Sequence, residues 1–149
     1  MFDYQFTLVE TPHKGLFTVL LPDFPGICCI RKSKEDAFNS AVKQLSIKLQ
    51  TLMANNNYLP KPSPNSFSSE LKLPFVFKLK LTLYARLRAE GYSKRKLEGK
   101  LIDYFGFSKH DAEQVLDLSA PVNLDFLNYA FEVLGTTIVP FLSEAKPTT

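Results

Sequence analysis

The sequence lacks several features that would assign it to a class at once. Its 149 residues include no tryptophan, two histidines and two cysteines. The cysteines, Cys28 and Cys29, are adjacent, and strain in the peptide between neighbouring cysteines opposes a disulfide. This arrangement provides neither a disulfide framework nor the Cys-x-x-Cys spacing of a zinc site. We therefore expect no metal and no cofactor, and we expect both cysteines to be small core residues on a strand.

Long apolar runs and targeting signals are also absent. The longest apolar stretches, such as residues 73–77, fall far short of the about 20 residues that span a bilayer. Residues 1–5 have neither the basic start nor the apolar run of a secretory signal. No glycine-rich phosphate-binding loop occurs. These absences predict a cytoplasmic protein with no membrane partner and no nucleotide site.

The residues that are present can build a core. Hydrophobic residues make up 45% of the chain and charged residues 22%, which is typical of globular proteins. An Asn-, Pro- and Ser-rich stretch at residues 55–66 separates two segments of different pattern. The sequence therefore predicts an α+β domain over residues 1–73 and a mostly helical domain over residues 74–149.

The first segment predicts three strands, a helix and a fourth strand. Residues 4–9 partly alternate, residues 16–21 are β-rich, and residues 27–30 form a short apolar run. Ser33 is placed to cap a helix, with Asp36 as its capping-box partner, and apolar residues then recur at helical spacing to Ala54. Residues 67–73 alternate and predict the fourth strand.

The second segment predicts four helices and a final strand. Three glycines are placed to end helices and three polar residues to begin them: Gly91, Gly106 and Gly135, and Ser93, Ser108 and Asn123. Residues 136–142 are β-rich, although Pro140 would confine that strand to a sheet edge. The short helices at 93–105 and 108–118 resemble a helix-turn-helix, in which the second helix enters the major groove. Helix pairs of this kind also occur without any role in DNA binding.

Charge leaves the role of these helices open. The net charge of +3 does not by itself indicate nucleic-acid binding. Within residues 78–100, however, eight basic minus two acidic residues gives +6. A basic stripe across two successive helices could follow a phosphate backbone, but a solvated helix surface has the same composition.

The candidate DNA-binding residues lie near the starts of the two short helices. They are Ser93, Lys94, Arg95 and Lys96 on the first, and Ser108, Lys109, His110, Glu113 and Gln114 on the second. Gln114 could pair with adenine and Glu113 with a cytosine amine, although Glu113 would also repel phosphates. We expect no catalytic site, because His13 and His110 have no nucleophile motif beside them. The spacing of Asp3 and Asp23 does not require a metal either.

Three short motifs in the first segment resemble those of the HicB antitoxin family and occur in the same order. Pro22-Asp23-Phe24-Pro25-Gly26 resembles the family's PDxPG turn, and Ser33-Lys34-Glu35-Asp36-Ala37 resembles its helix-opening T-x-E-E-A. Tyr58-Leu59-Pro60-Lys61-Pro62-Ser63 is similar to its I-P-x-P-S ending. Residues 79–84, 93–97 and 114–118 are similar to the helices of family members that carry a helix-turn-helix.

The resemblance implies both a fold and a function. The N-terminal domain would have a partial RNase H-like, ββαβ-type fold and would bind and occlude a HicA-like toxin, a small RNA-cleaving protein. The C-terminal domain would bind operator DNA, repress the toxin–antitoxin operon and form a homodimer or homotetramer. A stand-alone transcription regulator without a toxin partner is the alternative, and an enzyme on the RNase H-like scaffold is a third hypothesis. The residues that contact the toxin stay unassigned.

Overall fold

An antiparallel sheet with one helix against it forms the first part of the chain. The structure is a computed structural model that describes residues 2–11, 14–63, 69–70 and 73–145. Its strands are β1 (Gln5–Thr11), β2 (Leu16–Leu20), β3 (Cys28–Arg31) and β4 (Ser69–Glu70). They lie in the order β3-β2-β1-β4, and each pairing is antiparallel. The three predicted strands are confirmed, with β1 ending two residues later than the sequence indicates.

The predicted fourth strand is confirmed only in part. Ser69 and Glu70 pair with Phe6 and Gln5 of β1. The remaining positions 67, 68, 71 and 72 of that prediction lie outside the described residues, as do His13 and positions 64–66 of the proline-rich stretch. Three strands precede the helix, so the ββαβ order implied by the resemblance is too short by one strand.

Helix α1 (Lys34–Ala54) covers one face of the sheet. The Ser33 hydroxyl accepts a hydrogen bond from the Asp36 backbone N–H at 3.1 Å, which confirms the predicted N-cap. Residues that recur at every fourth position of α1 are buried: Ala37, Ala41, Leu45, Leu49 and Met53. On the sheet, Val19 and Cys29 lie opposite each other and are fully buried. Together these side chains form the core of this unit.

Helices make up the second part of the chain. They are α2 (Phe75–Ala89), α3 (Lys94–Phe105), α4 (Lys109–Gln114) and α5 (Leu124–Val133), followed by a 3-10 helix (Val139–Ala145). The three predicted caps accept backbone N–H groups at the helix starts, and all three predicted stop glycines have positive φ. The largest fully buried residues here include Leu79, Leu81, Leu83, Leu97, Leu101 and Phe131.

Two sequence predictions are wrong in this part. The second helix of the pair ends at Gln114, not 118, because the chain turns there and buries Val115 and Leu116. Residues 136–142 do not form a strand. Pro140 has no N–H to donate, and the N–H groups of Thr136 and Ile138 already donate to α5, to the Phe131 carbonyl and the Asn128 side chain.

The chain divides into two compact units, Phe2–Leu73 and Pro74–Thr149. The first unit combines a sheet with a helix, and the second is helical, so the expected α+β class is confirmed. Within the described ranges, every helix is too short or too polar to cross a membrane.

Candidate functional site

Helices α3 and α4 are joined by a three-residue connection. Gly106 has a φ of +71°, and Phe107 then turns into the core. Leu97 and Leu101 of α3 and Ala112 of α4 are buried as well. These contacts fix one side of each helix, which leaves the other side of the pair exposed.

The predicted DNA-binding residues lie on that exposed side. Eight of the nine are exposed, and Gln114 is half-buried. The Ser93 hydroxyl accepts from the Lys96 backbone N–H at 3.0 Å, and the Ser108 hydroxyl accepts from the Asp111 N–H at 3.1 Å. Both serines therefore satisfy backbone donors that a helix start leaves unpaired. Each keeps its own O–H group for an acceptor such as a phosphate oxygen.

Two lysines of α3 share one aromatic ring. Nζ of Lys96 lies 4.6 Å and Nζ of Lys100 5.3 Å from the centroid of the Tyr92 ring, where the ring quadrupole attracts a cation. The Tyr92 hydroxyl also raises the pKa of Lys100. The predicted DNA-binding residues did not include Tyr92 or Lys100, although each lies four residues from Lys96, a spacing that indicates a shared face. We call Lys94, Arg95, Lys96 and Lys100 the α3 basic patch.

Acidic side chains lie where the two helices meet. Burial raises the pKa of the Glu98 carboxyl on α3, Lys94 opposes that rise, and Glu113 on α4 adds to it. Lys109 also lowers the pKa of Glu98, so charges from both helices act on one carboxyl. A phosphate would therefore meet cations at the start of α3 and mixed charge along α4.

His110 and Gln114 form one polar pair on α4. The side-chain nitrogen Nε2 of Gln114 lies 2.9 Å from Nε2 of His110, one helical turn away. An adenine contact needs both the amide oxygen and the amide nitrogen of Gln114. His110 would therefore have to share or release this amide when a base is bound.

One member of the basic stripe considered across two helices does not lie on a surface. Lys80 is buried, with 1% of its surface exposed. Arg86 Nε lies 3.6 Å from Glu90 Oε1 on the same helix, and both side chains are largely exposed. Because Lys80 is buried, the net charge of +6 over residues 78–100 does not describe one surface, and the α3 basic patch is the part that lies on the predicted DNA-binding helix.

In the first unit, the turn at 22–26 and the segment at 58–63 are joined by hydrogen bonds. The Asp23 carboxylate accepts hydrogen bonds from the Ser63 backbone N–H at 3.1 Å and from the Ser63 hydroxyl at 2.5 Å. The Tyr4 hydroxyl donates to the Pro60 carbonyl at 2.7 Å, and the Tyr4 ring meets Phe24 edge-on with centroids 5.1 Å apart. Tyr4, which precedes β1, the turn at 22–26 and the segment at 58–63 therefore form one structural cluster.

The sheet face away from α1 carries no charged residue on β1, β2 or β3. The register places Val9, Thr18 and Ile30 in one row. We call this surface the open sheet face; it consists of Gln5, Thr7, Val9, Thr11, Leu16, Thr18, Leu20, Cys28 and Ile30. Exposed fractions of 44% for Val9 and 50% for Ile30 show that apolar surface is left uncovered, as at many protein-binding sites. The alternation of these strands in the sequence separates two faces, but it does not show which of them α1 covers.

The charged residues of the same strands lie on the side of α1. Glu10, Phe17 and Arg31 form one row, and the Arg31 guanidinium donates to the Ser40 hydroxyl of α1 at 2.8 Å. Both charges are therefore kept off the open sheet face. Such a division makes that face suited to apolar contact with another protein.

Of the residues considered for catalysis or metal binding, Asp23 has a structural hydrogen bond. Asp23 is bonded to Ser63 as described, and no three His, Cys, Asp or Glu side chains within the described ranges are grouped so that they could hold a metal ion. Both cysteines are free thiols. Cys29 is buried as predicted, whereas the core assignment of Cys28 is wrong, because the alternation of β3 turns it to the open sheet face.

Comparison with known proteins does not assign a family to the chain. The chain matches no protein-family model, and no curated protein matches it in sequence. The features that bear on function are the bonded motifs, the open sheet face and the α3–α4 pair.

Proposed function

We propose that the chain is a HicB-like antitoxin with two binding functions and no catalytic activity. Its first unit would have the partial RNase H-like fold of that family and would occlude a HicA-like, RNA-cleaving toxin. Its second unit would bind operator DNA through α3 and α4 and repress its own operon. A homodimer or homotetramer would present two or more α3–α4 pairs to the operator.

The bond between Asp23 and Ser63 is the observation that carries this proposal. Asp23 belongs to the segment that resembles the PDxPG turn, and Ser63 ends the segment that resembles the I-P-x-P-S motif. The two residues lie 40 positions apart, and the carboxylate accepts from both the N–H and the hydroxyl of Ser63. Motifs that resemble a family by chance have no reason to bond to each other, so the contact favours a shared architecture.

The toxin would bind the open sheet face. This surface is uncharged over three strands, and Val9, Leu20 and Ile30 on it are exposed. Asp23 and Tyr4 of the same unit, by contrast, form internal hydrogen bonds. Protein interfaces need an apolar, desolvated centre. The open sheet face provides such a centre without the cost of burying a charge.

Two matched isoleucine variants test this arm of the proposal. Ile30→Asp places a charge in the open sheet face, whereas Ile47→Asp places one on α1, where the isoleucine is 60% exposed. Each protein is co-expressed with the toxin encoded beside it, and complex formation and growth are measured. We expect Ile30→Asp to weaken the complex at least about tenfold, the effect of 1.4 kcal/mol, and Ile47→Asp to bind normally.

The outcomes separate the possibilities. If Ile47→Asp loses the toxin and Ile30→Asp keeps it, the toxin binds at α1 and the open sheet face is excluded. If the unaltered chain neither binds nor neutralises the toxin, the antitoxin proposal fails. Operator binding without a toxin partner would then make the chain a stand-alone transcription regulator.

Operator binding as a function of salt tests the second arm. The logarithm of affinity should fall with the logarithm of salt concentration by about 0.9 for each phosphate contact. Replacing Lys94, Arg95 and Lys96 by alanine should flatten this dependence. The matched control replaces Lys34, Lys43 and Lys48 on α1, all of which belong to the first unit. An unchanged salt dependence in the triple variant would exclude the α3 basic patch as the phosphate-binding surface.

A further inference from the structure

Lys80 is buried in the core of the second unit. Only 1% of its surface is exposed, and no other charged or polar residue of the described ranges is classed as buried. Neighbours on α2, including Leu79, Leu81 and Leu83, are fully buried leucines. Burying an ammonium group is costly unless its charge and its donors are satisfied. The position therefore calls for a specific role.

The ammonium group bonds to the turn that follows α4. Its Nζ atom donates to the carbonyl oxygens of Asp117 and Ala120, each at 2.5 Å. The Asp117 carboxylate accepts from the Ser119 backbone N–H at 3.0 Å and from the Ser119 hydroxyl at 2.7 Å. Burial lowers the pKa of Lys80, and the negative charge of Asp117 opposes this shift. One buried cation thus ties α2 to a compact turn 37 to 40 residues away.

This turn sets where α4 can point. Helix α4 has six residues, and Ala112 is its buried residue. So short a helix is not stable on its own. Its start is fixed by the Ser108 cap, and the chain beyond its end is fixed by the bonds from Lys80.

We propose that Lys80 is a positioning residue for α4: from inside α2 it holds the 117–120 turn and thereby fixes the direction in which α4 presents His110, Glu113 and Gln114. That α4 reads DNA rests on the proposed function, whereas the fixing of α4 does not. An apolar residue at this position could fill the core, but it would leave the carbonyls of Asp117 and Ala120 without this donor.

Amide hydrogen exchange of Lys80→Met tests the proposal without DNA. Methionine keeps the approximate length of the side chain and removes the donors. We expect amides of residues 109–120 to exchange at least about tenfold faster, the change from losing bonds to a charged group, with α5 unchanged. Arg86→Met is the control, because it removes a cation from the exposed side of α2. Unchanged exchange at 109–120, or equally faster exchange throughout residues 74–145, would overturn the proposal.

NMR of the unaltered protein provides a second measurement if Lys80→Met does not fold. An ammonium group held by two carbonyls should give slowly exchanging Nζ protons close to residues 117 and 120. Rapidly exchanging Nζ protons without such proximity would overturn the proposal.

DNA binding separates this inference from the proposed function. A misdirected α4 should reduce the preference for operator over random DNA, while binding to random DNA through the α3 basic patch persists. If the unaltered protein shows no operator preference, the DNA arm of the proposed function fails. The exchange and NMR measurements still decide the role of Lys80.

Discussion

The two units differ in the distance over which their polar side chains bond. In the first unit, Ser33 caps α1 locally, but Tyr4 and Asp23 form hydrogen bonds to residues 56 and 40 positions away. In the second unit, Ser93 and Ser108 bond three positions ahead, and Lys80 is a long-range exception. The first unit therefore depends on hydrogen bonds that join Tyr4 and Asp23 to the segment at 60–63. The second is a set of locally specified helices packed together.

This difference matches the two proposed binding modes. In the first unit, the polar motif residues are occupied by internal bonds, and the surface that is left over is an uncharged sheet face. In the second unit, the serines cap helices, and the charges of Lys94, Arg95 and Lys96 face solvent. Apolar surface suits a protein partner, and exposed cations suit phosphates.

The largest expected effect comes from truncating each core. Leu45 of α1 and Leu101 of α3 are fully buried, and Leu→Ala at such sites costs about 2–5 kcal/mol. We expect Leu45→Ala to destabilise the first unit and reduce toxin binding, and Leu101→Ala to destabilise the second and reduce DNA binding. Amide exchange in α1 and α5 measures the two effects. Equal loss of protection in both helices from either variant would show that the units do not unfold separately.

A smaller effect is expected from breaking the bond between the motifs. Asp23→Ala removes the acceptor of three contacts from Ser63 and should cost about 1–2 kcal/mol, since part of the site is exposed. Ser63→Ala should cost less, because its backbone N–H can still donate. Urea unfolding followed by exchange in α1 measures both. A double variant whose loss equals the sum of the two single losses would show that the contact between the Ser63 hydroxyl and the Asp23 carboxylate contributes nothing to stability.

Local rules explain why most helix ends could be predicted. Ser33, Ser93 and Ser108 are cap residues by chemistry, and each accepts the backbone N–H three positions ahead. Gly106 stops α3 because it takes a positive φ that other residues avoid. The positions of these helix ends depend on a few neighbouring residues, all of which can be read from the sequence.

Long-range packing explains what could not be predicted. In the sequence, Lys80 is one of eight basic residues in a charged stretch, and nothing nearby indicates that a turn 37 positions away supplies its acceptors. Local propensity favours a strand at residues 136–142. The Ile138 N–H instead donates to the Asn128 side chain, and Pro140 has no N–H to donate to a neighbouring strand. The open sheet face became evident only once the register of β1, β2 and β3 was known.

Loss of the two serine caps should affect the helices of the second unit unequally. Ser93→Ala and Ser108→Ala should each cost about 1 kcal/mol, but the loss should open α4 more than α3. Helix α4 has six residues and α3 has twelve, so α4 has fewer bonds to replace the cap. Amide exchange within each helix measures this. Ser93→Asp and Ser108→Asp keep a capping oxygen and should restore protection. Equal opening of both helices would show that their lengths do not matter here.

The effect of Tyr4 on stability should depend on pH in both size and sign. Burial above all raises the pKa of the Tyr4 hydroxyl well above its usual value, and the charge of Asp23 adds to the rise. The unfolded chain would release this proton near pH 10, whereas the folded chain keeps it. The stability from neutral Tyr4 is therefore complete below about pH 10 and declines above it, by at most about 1.4 kcal/mol per pH unit.

Tyr4→Phe should reverse the ranking of the two proteins as pH rises. At pH 7 the variant loses the bond to the Pro60 carbonyl and should be less stable by about 1 kcal/mol. Above pH 10 phenylalanine has no proton to release, so its unfolding free energy should decline less steeply than that of the unaltered chain. Tyr58→Phe is the control, because Tyr58 is 71% exposed. Parallel pH profiles for the unaltered chain and Tyr4→Phe would mean that the phenol ionises as readily in the fold as outside it, and that the hydrogen bond from Tyr4 to Pro60 does not protect it.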